Sequence, residues 1–330
     1  MAQTPELWLP ASHEFFMTDA DRAIHEEWAA LTRQDVLDAM VEPEVVELVN
    51  GDSLTVIDKR VEGDNSTEAI AKILPFNNGY TPWKDIEVGF QQAVLDTPTR
   101  TLIFPMDVGS LDIHDSFGVK EDIAKGIIEV AVRKGVKKLH VSGYSMGAML
   151  GAAMMDDMPE HFDVSGAGVF LGDAPNVVAA RTPDQLATAF QKGGLGNFNK
   201  AVNDSGLPVL SRVQRSRGGL DYLPQVLGFA RFARSSGKPV NQALRQTMAT
   251  DQFPVEVARG RAAWQEATDV RPNPLVVRMA KSLICLEGLD FRLMNMSGQR
   301  VEVVDDYGHE GGDNIVLSAL LGRQAIRQAA

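Results

Sequence analysis

Between residues 44 and 171 the chain alternates short apolar runs with longer stretches whose apolar positions recur every three or four residues. Residues 44–50 and 53–59 alternate in period two around Asn50-Gly51, a pair suited to a tight hairpin turn. Residues 69–74 are apolar apart from Lys72, and further strand-like runs fall at 101–104, 138–142 and 164–171. The intervals carry helical periodicity. One such segment spans 83–95; another spans 122–134, with Ile123, Ile127, Ile128, Ala131 and Val132 on one face and Gly135 at its end. Strands separated by helices of this length predict an α/β fold on a doubly wound, mostly parallel sheet, because a parallel return needs a long crossover.

The pattern changes twice. Residues 1–40 are acidic and helix-prone, at 19–31 and 34–40, which predicts an N-terminal helical extension packed on the domain. Residues 176–273 show no strand period, only helical segments interrupted at Gly193-Gly194, Gly218-Gly219, Gly237 and Pro239. Alternation resumes at Leu275, with strands expected near 282–286 and 301–304 and a closing helix over 313–327. The expected sheet domain is therefore 41–175 joined to 274–330, with 176–273 inserted into it. No internal repeat or low-complexity tract interrupts this layout.

One junction carries chemistry. Lys138-Leu139-His140-Val141-Ser142 reads as a strand, Gly143-Tyr144-Ser145-Met146-Gly147 is a Gly-x-Ser-x-Gly turn, and Ala148-Met149-Leu150-Gly151 begins a helix. A serine can occupy so sharp a turn only if the residues two before and two after it lack bulk, and Gly143 and Gly147 meet that need. Ala148 and Gly151 let the helix pack close. The arrangement predicts an exposed Ser145 hydroxyl above a helix N-terminus, with the Met146 N–H available to hold an oxyanion. This nucleophile elbow and its flanking elements resemble the α/β-hydrolase family over about residues 68–175 and 275–325. The resemblance implies the α/β-hydrolase fold, with 176–273 as a helical cap over the active site.

The remaining machinery follows from that resemblance. A neutral serine hydroxyl is a poor nucleophile and needs a base within hydrogen-bond reach. Chain order in this fold puts that base after the last strand, where Val301-Glu302-Val303-Val304-Asp305-Asp306-Tyr307-Gly308 leads to His309. His13 and His25 lie in the extension, His140 in a strand and His161 beyond the elbow helix; His114, in the loop after 101–104, is the rival. The acid that orients the base is expected at Asp290 in Leu286-Glu287-Gly288-Leu289-Asp290, one residue shorter than the family's Gly-x-x-Asp pattern. Asp173, in Leu171-Gly172-Asp173-Ala174-Pro175, is the alternative, at the end of the strand after the elbow. Glu287, Asp305 and Asp306 read as solvated loop charges. The second oxyanion donor is expected at the Asn77 amide, with Phe76 as the alternative; Pro75-Phe76 stand where the family has His-Gly. The loop 106–110 reads as structural.

Composition narrows the function. The 330 residues are 44% hydrophobic, enough for a large core. A net charge of −12 argues against a protein that reads a nucleic-acid backbone. Residues 176–273 hold 13 Lys/Arg against 7 Asp/Glu, a net of +6 that leaves −18 elsewhere. A basic cap would favour an anionic substrate, and docking of a basic lid on an acidic core accounts for the charge equally well. Cys285, the single cysteine, lies in an apolar run and reads as a buried structural thiol. No secretory leader and no apolar run long enough for a membrane span is evident, so a soluble, cytoplasmic protein is expected. Leu171 stands where a dinucleotide fingerprint after Gly166-Ala167-Gly168 would want glycine, and no phosphate-binding loop or His-Glu-x-x-His is present. No cofactor or metal is expected. These features together point to a serine esterase acting on a small acyl substrate, with thioesters and amides behind carboxylic esters. An acyltransferase on the same fold and a non-catalytic binding module are the alternatives; acyl chain, leaving group and oligomeric state stay open.

Overall fold

The computed structural model describes residues 7–9, 12–61, 63–76, 80–95, 100–106, 111–112, 119–174, 200–210, 253–282, 294, 298–299, 301–305, 307, 312 and 314–329. Among these, ten strands form one sheet: β1 (Leu7–Leu9), β2 (Glu44–Glu47), β3 (Ser53–Arg60), β4 (Glu68–Phe76), β5 (Arg100–Met106), β6 (Leu111–Asp112), β7 (Lys138–Tyr144), β8 (Val169–Gly172), β9 (Leu275–Met279) and β10 (Val301–Val304). Their order is β1-β10-β9-β8-β7-β4-β5-β3-β2, with β6 beside β3. The β2–β3 hairpin and the β3–β5 pair are antiparallel; from β5 through β4, β7, β8, β9 and β10 to β1 every pair is parallel. The doubly wound, mostly parallel sheet expected from the alternation is present.

The helices are α1 (Asp19–Ala30), α2 (Arg33–Asp38), α3 (Pro82–Val94), α4 (Val119–Arg133), α5 (Met146–Met154), α6 (Phe253–Thr268) and α7 (Ile315–Ala329). Thr18 with Asp21 and Thr32 with Asp35 form reciprocal caps that start α1 and α2; Thr81 caps α3, with Pro82 pre-set for its first turn. The side-chain alternation of β4 separates two layers. Ala69, Ala71 and Ile73 join the core formed with α4, α5 and α6, while Leu74 packs with Val88 of α3 and Lys72 reaches Glu87 of α3. α3 and α7 pack together on that second face.

That second face contains a buried ion cluster. Glu87 accepts from Lys72 at 2.7 Å and from Lys84 at 2.9 Å, and all three side chains are buried. Burial alone would raise the Glu87 carboxyl, but the two ammonium groups outweigh it and hold the pKa at about 2.

Three features depart from the pattern. Ser282, expected to open a strand over 282–286, lies in a turn with its N–H on the Met279 carbonyl at 3.1 Å. A strand is present at Leu275–Met279, and 283–286 lie outside the described residues. Arg278 interrupts its apolar run, and the side chain is nonetheless buried. The extension also supplies a strand: β1 pairs in parallel with β10 at the sheet edge. Finally, α6, from the end of the 176–273 segment, packs directly on α5. Gly260 abuts Met155, and Trp264 donates its indole N–H to the Met155 carbonyl at 2.7 Å. Of that segment only 200–210 and 253–273 are described.

Candidate active site at the strand-to-helix turn

β4 and β7 are neighbours at the centre of the sheet, yet the chain leaves β4 toward β5 and leaves β7 toward β8. Their carboxyl ends therefore mark the topological switch point of the sheet, the usual ligand position of open α/β folds. Ser145 sits there. It occupies the single step between β7 and α5 with φ 56° and ψ −124°, a left-handed conformation that a residue with a side chain rarely adopts. Its N–H donates to the Gly172 carbonyl at 2.8 Å, and its carbonyl accepts from Ala148 at 3.0 Å, so the turn is fixed from both sides.

The glycines do what the motif requires. A Cβ on Gly143 would lie 2.1 Å from the Gly147 carbonyl oxygen, and one on Gly147 would lie 2.3 Å from that of Ile73. Both obstacles are backbone and cannot swing aside. At Gly151 the nearest atoms are side-chain methyls of Val141 and Leu171, at 2.9 and 3.0 Å. Met146 opens α5, so no preceding turn can engage its amide.

Exposure differs from expectation. Ser145 is 7% accessible rather than open to solvent. Its neighbours Tyr144 and Met146 are buried as well, and Gly172 and Gly312 both lie against the Tyr144 ring.

Asp173 is the first residue past β8, beside Ser145, because Tyr144 and Gly172 are register partners. Its carboxylate is completely buried. Oδ1 accepts from the Met279 N–H at 2.8 Å and Oδ2 from the Ser282 hydroxyl at 2.7 Å, while its own N–H donates to Val277 at 2.6 Å. Asp173 also has a positive φ, 43°. The ends of β8 and β9 and the turn after β9 are thus cross-linked through one aspartate. Ser282, which helps hold it, is a residue that sequence reasoning assigned to a strand.

Asn77, Asp290 and His309 lie outside the described residues, as do His114, Glu287, Asp306 and Cys285. Asp305 is exposed, in keeping with a solvated charge. Of the other histidines, His140 is committed structurally, with Nε2 on Glu68 at 2.6 Å and Nδ1 accepting the Gly168 N–H at 2.8 Å. Burial pushes its pKa down, against the pull of Glu68. His25 bonds to the Ser205 carbonyl at 2.9 Å. Among the described residues no group of three His, Cys, Asp or Glu side chains could hold a metal, and no helix is long and apolar enough to cross a membrane.

No family model and no curated protein sequence matches the chain. Solved structures do. A haloalkane dehalogenase from Paraglaciecola agarilytica NO2 is similar at 14% identity and a TM-score of 0.50, covering 89% of this chain and 95% of that one. A protein described as an epoxide hydrolase from Pseudomonas aeruginosa is similar at 15% identity and 0.50, covering 87% and 97%. An enol-lactonase from Burkholderia xenovorans LB400 gives 15% identity and 0.49, covering 82% and 94%. With its sheet order and elbow, the chain has the α/β-hydrolase fold.

Proposed function

We propose that the chain is a serine hydrolase that cleaves a carboxylic ester, or a thioester or amide, through an acyl-enzyme. The observation that carries this is the strained Ser145 at the head of α5, at the sheet's topological switch point. In the proposed reaction Ser145 Oγ attacks the acyl carbon while His309 takes its proton. The Met146 and Asn77 amides hold the tetrahedral oxyanion. His309 then gives the proton to the departing alcohol, and a water deprotonated by His309 releases the acid and restores Ser145. Gly312 against the Tyr144 ring supports His309 as the base, since three residues of chain span at most about 11 Å. Net positive charge in the 176–273 segment supports an anionic acyl substrate.

Two carboxylates compete to orient His309. Asp290 comes nearest to the position implied by the family pattern, one residue short of its Gly-x-x-Asp spacing. Asp173 is favoured by its place beside Ser145, by its complete burial and by two donors that fix its oxygens. A fluorophosphonate probe tests the whole. Labelling of the wild type that disappears in Ser145→Ala is expected, and an unreactive wild type would sink the proposal in favour of a binding module. Whichever of Asp173→Asn and Asp290→Asn lowers kcat by about four orders of magnitude marks the acid. Product analysis with and without an added alcohol or thiol acceptor separates hydrolase from acyltransferase.

A further inference from the structure

Tyr307 lies two residues before His309 and is 2% exposed. Its Oη donates to Asp204 Oδ2 at 2.8 Å and accepts from Asn314 Nδ2 at 3.0 Å. Asn314 is itself wholly buried, and its Oδ1 accepts from the Leu317 N–H at 3.1 Å, so it also caps α7. The Tyr307 carbonyl accepts from the Lys281 N–H at 2.8 Å, which ties the same residue to the turn after β9. The interval from 307 to 314 is thus closed by a hydrogen bond between the side chains of its first and last residues. Asp204 comes from far away in sequence, in the helical residues 200–204 of the inserted segment. Lys200 pairs with Asp204 at 2.5 Å and sits 4.5 Å from the centre of the Tyr307 ring.

We propose that Tyr307 and Asp204 are positioning residues that tie down the 307–314 interval, which carries His309, and couple it to the inserted segment. The inference rests on the Ser145–His309 reading above. A phenol has one proton to give, and giving it to a carboxylate makes the bond charge-assisted and directional. With that proton on Asp204, the Tyr307 oxygen must receive the Asn314 amide, so both bonds have a fixed sense. A general base works only when held to a fraction of an ångström from the group it deprotonates, and a stretch of chain tied at both ends meets that demand where an untied one does not. Because one tie runs to residues 200–204, movement of that helical turn moves the anchor of the base. Neither side chain is assigned any contact with substrate.

The discriminating measurement is kcat and KM on a p-nitrophenyl ester, with fluorophosphonate labelling rate and Tm, for wild type, Tyr307→Phe, Asp204→Ala, Asp204→Asn and the Tyr307→Phe/Asp204→Ala double variant. Tyr307→Phe and Asp204→Ala are each expected to lower kcat about tenfold or more with KM nearly unchanged, Ser145 still labelling slowly. Asp204→Asn should recover most of the rate, since its amide oxygen still accepts the phenol proton. The double variant should be no slower than the worse single variant, as for two partners of one bond. Unchanged kcat in Tyr307→Phe with only a lower Tm would make the cluster a structural anchor and overturn the inference, as would losses that multiply in the double variant. A reactive wild type with unimpaired variants overturns this inference alone; an unreactive wild type overturns the hydrolase reading and takes this one with it.

Discussion

At Ser145 the chain accepts a local cost that no packing need explains. A residue with a side chain at φ 56° and ψ −124° costs about 1–3 kcal/mol relative to relaxed backbone, and glycine escapes most of that penalty. Ser145→Ala and Ser145→Gly both remove the hydroxyl, but only glycine relieves the strain. Denaturant unfolding should therefore find the glycine variant more stable than the alanine variant by about 1–2 kcal/mol, with neither labelled by the probe. Equal stabilities, or alanine ahead, would mean the turn stores no strain. The flanking glycines answer to a different constraint. Gly147→Ala drives a methyl into the Ile73 carbonyl, so it should cost more than Gly151→Ala, whose neighbours are methyl groups that can shift. This part of the site was legible because sterics at the elbow dictate residue type at each step. The burial of Ser145 was not, because burial depends on residues distant in sequence coming together, as Gly312 does against Tyr144.

Elements with a strong period were readable, and elements whose identity depends on partners were not. α3 and α4 lie within a few residues of their predicted bounds because one face is apolar and the cap or terminator is local. β9 was read only as a resumption of alternation at Leu275, since Arg278 breaks its apolar run and only the fold shows that this side chain is buried. β1 was missed because three residues carry too little period, and its pairing with β10 is a long-range event. Lys72 inside β4 is the converse case: a charge in an apolar strand, explained only by Glu87 on the helix above it. Glu87→Gln would leave the Lys72 ammonium buried without its carboxylate. It should destabilise the protein by about 3–5 kcal/mol, read as a lower midpoint in urea. The pH dependence has a definite sign. Glu87 titrates at about 2 when folded against 4.5 unperturbed, so its contribution is complete above 4.5 and is lost as pH falls toward 2. A Gln variant with wild-type stability at neutral pH would show that the cluster carries no net weight.

The two ends of the chain are assembled as one unit of the whole molecule. β1 extends the sheet beyond β10, and the Arg323 guanidinium of α7 reaches Asp21 of α1 and the Phe16 carbonyl, the latter at 2.9 Å. Trp28 of α1 stands edge-on to Phe90 of α3 at 5.8 Å, and Gly89 leaves room for its ring. The N-terminal residues therefore cover the α3–α7 face and contribute to the same core as the closing helix. Asp21 and Arg323 are both buried, so removing one charge strands the other. Burial would raise the Asp21 carboxyl, but hydrogen bonds from Arg323 and Thr18 bring it below its ordinary value. Its contribution is present above the unperturbed 3.8 and is lost as pH falls through the lower folded value. Asp21→Asn should therefore cost about 3–5 kcal/mol at neutral pH, and this gap from wild type should narrow as the medium is acidified below 3.8. The loss should be regional as well as global. Amide exchange in α1 and at the start of α7 should accelerate most, while fluorophosphonate labelling of Ser145 in the folded fraction persists, because α5 packs on the opposite face. Exchange in α1 as slow in the variant as in the wild type would mean that apolar packing around Trp28, and not the ion pair, fastens the N-terminal segment to the domain.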